Sequence, residues 1–107
     1  MKNLMLATTA AALLAACAQR PDAIAPASMP AGMYSAASCS QARAELAQVS
    51  QSLAALEQQQ NSAATGDALG VFLIGVPTSS LTGGDKAGQI AVEKGRKLAL
   101  EARLRGC

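Results

Sequence analysis

Residues 38–63 read SCSQARAELAQVSQSLAALEQQQNSA, and this stretch decides the fold. Ser38 followed three residues later by Gln41 fits a capping box, in which the hydroxyl accepts from a backbone N–H and the amide reaches back. From there Cys39, Ala42, Leu46, Val49, Leu53, Leu56, Gln60 and Ala63 step by three and four without a break. Such spacing lines up one apolar seam on a helix, and neither glycine nor proline interrupts it. The remaining faces carry Gln48, Gln51, Gln58 and Gln59 with few charges. The spacing predicts a helix over about 38–64, with Thr65-Gly66 as its C-terminal stop.

Downstream, residues 66–84 mix apolar residues with glycines and contain Pro77, which argues against a helix running straight through. They are expected to form an apolar, glycine-rich loop folded back over the tip. A second helix is expected over about 85–105, with Thr82 or Asp85 as cap candidates and Gly106 as the C-terminal glycine. Asp85 at its start and Arg103 and Arg105 at its end also suit the helix dipole. At 100° per residue, Ala87, Ala91, Gly95, Leu98 and Ala102 share one face built mostly of small side chains. Gly95 in mid-helix costs close to 1 kcal/mol relative to Ala, so it suits close approach of another helix; a tolerated surface glycine is the alternative. Two helices joined by such a loop form, most simply, an antiparallel hairpin whose larger seam lies on the small one. Ile90, Leu100 and Leu104 fall on another side of the second helix. They are left for self-association, for packing of the loop from Leu69 to Val76, or for a solvated mixed face.

Upstream, residues 18–37 are rich in Ala, Ser and Pro (Pro21, Pro26, Pro30) and show almost no periodicity. They are expected to be a disordered tether within residues 17–37. Tyr34 there reads as a contact residue or as a side chain packed on the neighbouring domain. The first 16 residues have Lys2, an apolar run from Leu4 to Ala16 and a small residue before the cut point, the anatomy of a secretory signal peptide. An uncleaved N-terminal membrane helix is the alternative reading of that run. Leu14-Ala15-Ala16-Cys17 resembles the lipobox of bacterial lipoproteins. The resemblance covers only the first 17 residues. It implies cleavage before Cys17, a diacylglyceryl group on its sulfur, an acyl chain such as palmitate on its new amino group, and a lipid-anchored protein facing the periplasm. In the sorting pattern of enteric lipoproteins an aspartate after the cysteine retains the protein in the inner membrane. Ala18 departs from that pattern, which points to the outer membrane.

The lipobox accounts for one of three cysteines. Cys39 and Cys107 remain, an even pair in an exported chain. Antiparallel pairing places them at matching ends of the two helices, so a disulfide between them is expected; free thiols and a bridge between two copies are the alternatives. A core supplied largely by alanine, with only Tyr34 and Phe72 as aromatics, is thin enough to need such a staple.

The composition narrows the chemistry. The chain has no histidine, hence no imidazole base and no histidine-ligated metal. Gly83-Gly84-Asp85-Lys86 lacks the full phosphate-loop pattern, and the seven acids are scattered. The formal net charge is +2, and +1 without Lys2, which gives no footprint for nucleic acid. The second helix is locally basic, a solvated face or a contact for anionic lipid or polysaccharide. No catalytic residue, metal, cofactor or small-molecule substrate is expected. The sequence reads as a non-enzymatic cell-envelope lipoprotein, a structural or interaction module. It is anchored by acylated Cys17 and meets an envelope protein or a second copy through Val71, Phe72, Leu73, Ile74, Leu100 and Leu104. The alternative is a membrane-active protein whose stretch from Leu69 to Val76 inserts into a bilayer.

Overall fold

A computed structural model describes residues 3, 17–76, 80 and 82–107. Apart from residue 3, the N-terminal run expected to be a signal peptide, including Leu14-Ala15-Ala16, and positions 77–79 and 81 of the expected loop lie outside the described residues. The described chain is all-helical: a short 3-10 turn at Pro21–Ala23, then α1 over Cys39–Ile74 and α2 over Ala87–Leu104. The helices form a hairpin, with Cys39 and Cys107 joined in a disulfide across a Cα separation of 6.0 Å.

Helix α1 starts where its sequence says it should. The Ser38 hydroxyl accepts from Gln41 N–H at 3.1 Å, and the Gln41 amide oxygen accepts from Ser38 N–H at 2.9 Å. It does not stop at Thr65-Gly66. It runs ten residues beyond residue 64, to Ile74, and ends on Gly75, whose φ of 78° is the left-handed turn that glycine adopts without penalty. The reason is that the seam continues. Asp67, Gly70 and Ile74 carry on the same steps of four, three and four from Ala63, and Asp67 and Gly70 are both buried. A helical register here puts Asp67 where its hydrogen-bond partners are, which outweighs the roughly 1 kcal/mol that each of Gly66 and Gly70 costs in a helix. The expected loop over 66–84 therefore shrinks to the chain between Ile74 and Ala87.

Helix α2 begins two residues later than expected. Asp85 Oδ1 accepts from Ala87 N–H at 3.0 Å, so the proposed cap residue does satisfy a first-turn amide. A second is taken by Gln60 Oε1, which accepts from Lys86 N–H at 2.6 Å. Gly106 does not take a left-handed φ.

The largest departure concerns residues 18–37. They do not form a free tether: the segment lies along the hairpin as a third layer. Ala27 N–H donates to Ala91 O at 2.8 Å. Lys94 Nζ donates to the carbonyls of Pro21 and Ile24, and Arg103 donates to Ala37 O through Nε and Nη2 at 3.1 and 2.9 Å. These bonds go to backbone groups, so the docked chain needs no hydrophobic period. Where Gly95 lacks a Cβ, the backbone of Ala27 comes in, and a Cβ there would meet the Ala27 carbonyl. The small face of α2 thus receives this peptide and not α1.

What faces α1 is the side the sequence left unassigned. Ile90 and Leu100 are both fully buried. Three hydrophobic clusters result: Tyr34 with Ala42, Val49 and Leu100; Ile24 with Leu53 and Ile90; and Ala18 with Ala63 and Ala64. Each takes one residue from the N-terminal segment, so the core closes only when that segment is down.

Candidate functional site

The two ends of the hairpin differ in chemistry. At the disulfide end, Cys39 and Cys107 are bonded and Leu100 and Leu104 pack into the Tyr34 cluster. Leu100 has no exposed surface and so is not available as an interaction residue, which corrects the sequence reading of it; Leu104 is partly buried against the same cluster.

At the opposite end sits Cys17, which stands outside the disulfide and is partly buried. The residue after it is fixed: Ala18 N–H donates to Asp67 Oδ2 at 2.7 Å. Asp67 has no exposed surface and also accepts from the Ser80 backbone N–H at 2.7 Å and from the Ser80 hydroxyl. A buried carboxylate is tolerated because its oxygens are met by donors. Two helical turns earlier, the fully buried Gln60 does the same for two other segments. Its Nε2 donates to Gln19 O at 2.8 Å and to Asp85 Oδ1 at 2.9 Å, while its Oε1 takes the Lys86 amide. Arg20 adds a bond to Asn61 O at 3.0 Å. Among the described residues no buried side-chain nitrogen or oxygen lacks a partner.

Beyond this network α1 is bare. Phe72 is 85% exposed and Leu73 72%, and Leu69, Ile74 and Val76 are also exposed, while Val71 is partly buried. Val71, Phe72, Leu73 and Ile74 therefore belong to one surface, at the same end as Cys17. They lie on a helix and not on the loop the sequence suggested.

Midway along the hairpin, Arg96 ties all three layers. Its Nε donates to the Tyr34 hydroxyl at 3.2 Å, Nη1 meets Glu93 at 3.1 Å and Nη2 lies 3.8 Å from Glu45 on α1. The hydrogen bonds to Tyr34 and Glu93 hold the guanidinium above its usual pKa against a small loss of solvation, so it stays charged. Tyr34 is thus a packed residue and not an exposed contact. An open groove follows the α1–α2 seam, lined by Ser52, Leu56, Gln59, Gly88, Val92 and Glu93 among others. Among the described residues no group of three or more His, Cys, Asp and Glu is placed to hold a metal ion, and no helix is long and apolar enough to cross a membrane.

Sequence reasoning missed Asp67 and the partners of Gln60. The usable signal was the step of four from Ala63 to Asp67, which keeps the acid on the seam; an acid on an apolar seam needs donors, and those come from residues 49 and 13 positions away. No family model, no curated protein and no solved structure matches the chain.

Proposed function

We propose that the protein is a cell-envelope lipoprotein, held at a membrane by acylated Cys17 and serving without catalysis as an interaction module, with the outer membrane as its site. The observation that carries this reading is the Leu14-Ala15-Ala16-Cys17 motif behind a short apolar run. The disulfide of the folded part is in keeping with an oxidising compartment. The surfaces offered to an envelope protein or a second copy are the open groove along the α1–α2 seam and the bare end of α1.

Acylation is tested by growing the source cells with labelled palmitate and measuring the mass of the protein recovered from their envelope. Label and the mass of an acylated chain beginning at Cys17 are expected, and Cys17→Ser should remove both. An unmodified Cys17 in the wild-type chain would sink the anchor. Photo-crosslinking from Gln59 and Val92 tests the interaction half: discrete protein adducts are expected, and their absence from both positions counts against the groove as a partner surface.

A further inference from the structure

Helix α1 overhangs α2. The Lys86 amide bonds to Gln60, so α2 starts level with that residue, whereas α1 continues to Ile74, about 20 Å further at 1.5 Å per residue. One side of the overhang is occupied: Ala63 and Ala64 meet Ala18, and Asp67 receives Ala18 and Ser80. The other side exposes Leu69, Phe72 and Leu73, and the exposed Ile74 and Val76 stand at the tip, Val76 just past the end of the helix. No charged residue stands between Ala68 and Gly84.

We infer that this overhang is a membrane foot: the exposed apolar residues from Leu69 to Val76, at the end of α1, sit in the lipid leaflet that holds the acyl chains of Cys17. The inference rests on the acylation of Cys17 proposed above, and three observations carry it further. The first is the length of the leash. Because Ala18 is bonded to the buried Asp67, a single residue separates the acylated position from the fold, and consecutive Cα atoms are only about 3.8 Å apart. An anchor in the bilayer therefore brings the end of α1 to the bilayer surface, and any other occupant of this patch would have to share that place with lipid. The second is chemistry: an uncharged, aliphatic and aromatic surface suits acyl chains and the headgroup boundary. The third is size. Residues 68–74, the last two turns of α1, span about 10 Å as a helix, about a third of the roughly 30 Å hydrocarbon core, so the foot enters one leaflet without crossing.

Acyl chains on Cys17 already supply stable attachment, since two chains suffice for it. The foot supplies orientation. It sets α1 on the bilayer with the Cys39–Cys107 end pointing away, about 40 Å from the level of Asp67 along the helix, and holds the groove between the helices at a fixed height.

The chain has no tryptophan, which makes the test direct. Phe72→Trp and Leu98→Trp each place one indole at an exposed position, the second level with the far part of the hairpin. Each acylated full-length variant is purified and reconstituted into phosphatidylethanolamine–phosphatidylglycerol vesicles, with and without phosphatidylcholine brominated in its acyl chains, and acylation is verified by mass on the same sample. The F72W indole should emit to the blue of L98W and lose most of its intensity to bromolipid, while L98W loses none. If acylation is present and F72W is quenched no more than L98W, the foot is wrong and the lipoprotein reading survives. A blue-shifted, unquenched F72W that crosslinks to a second copy or another protein also overturns it, in favour of a protein interface. A chain that carries no acyl group refutes the anchor itself, a separate result.

Discussion

Gly95→Ala distinguishes a docked N-terminal segment from a free tether, because the two arrangements predict opposite signs. In an isolated helix the change gains about 1 kcal/mol of propensity. In this structure the new Cβ lands on the carbonyl oxygen of Ala27, 2.8 Å from Met29 Cε and 3.2 Å from the Ala27 carbonyl carbon. The methionine end can swing aside; the Ala27 backbone moves only if the segment lifts, and lifting it strains the Ala27 to Ala91 hydrogen bond of 2.8 Å. Overpacking of this kind costs about 1–3 kcal/mol and the lost bond about 1. Set against the propensity gain, the net is a destabilisation of about 1–3 kcal/mol, or a fall in the thermal midpoint of roughly 10 °C for a domain of this size. Gly88→Ala is the internal control: nothing lies within 4 Å of its Cβ, so it should raise stability by about a few tenths of a kcal/mol, limited by its place in the first turn. Thermal and urea unfolding followed by circular dichroism measures both variants, and hydrogen exchange at the Ala27 amide reports the docking. If G95A stabilised the fold as G88A does, with the Ala27 amide unprotected in the wild type, the segment would be a tether after all.

Replacing Cys39 and Cys107 together by serine should lower stability by about 4 kcal/mol on the chain-entropy model for a separation of 68 residues, read as the shift in urea midpoint under non-reducing conditions. Asp67→Ala leaves the Ala18 and Ser80 amides without their acceptor; a loss of about 2 kcal/mol is expected, together with faster exchange at Ala18 while Ala42 stays protected. Leu100→Ala should cost about 2–5 kcal/mol, since the side chain is fully buried between the helices and Tyr34, whereas Leu98→Ala, half-exposed, should stay within about 0.5 kcal/mol. Equal effects of the two would contradict the assigned facing of α2.

What could be read from the sequence follows the range of the interactions involved. The Ser38–Gln41 box is complete within four residues, and it appears where expected with both bonds made. The seam from Cys39 to Ala63 is apolar at every step but Gln60, so its helix was legible too. Past Ala63 the same spacing is held by Asp67, an acid, and by Gly70, which has no side chain, so the apolar period is hidden although the backbone keeps it. The facing of α2 was misjudged because its small residues look like a socket for a helix; a bare peptide fits closer to Gly95, which frees Ile90 and Leu100 to meet α1. For the docked segment no local signal exists, since an irregular chain held through its carbonyls by Lys94, Arg103 and Gln60 leaves no periodic trace in its own residues.

That docked segment also explains how so alanine-rich a chain closes a core. Two helices alone would leave Val49, Leu53, Ile90 and Leu100 covered on one side; Tyr34 and Ile24 provide the other. The third layer has to be threaded from Cys17 at one end of the hairpin to Ala37 beside the disulfide at the other. The two ends are then closed by different chemistry, a covalent bond beside the helix termini at one and buried polar hubs at the other, where Gln60 and Asp67 each bind chain segments that the hydrophobic effect alone would not position. Hydrogen bonds are directional where apolar burial is not, so the hubs fix the register of residue 18 against α1. Cys17 itself is accordingly held within one residue of the folded body, at the same end as the apolar overhang of α1.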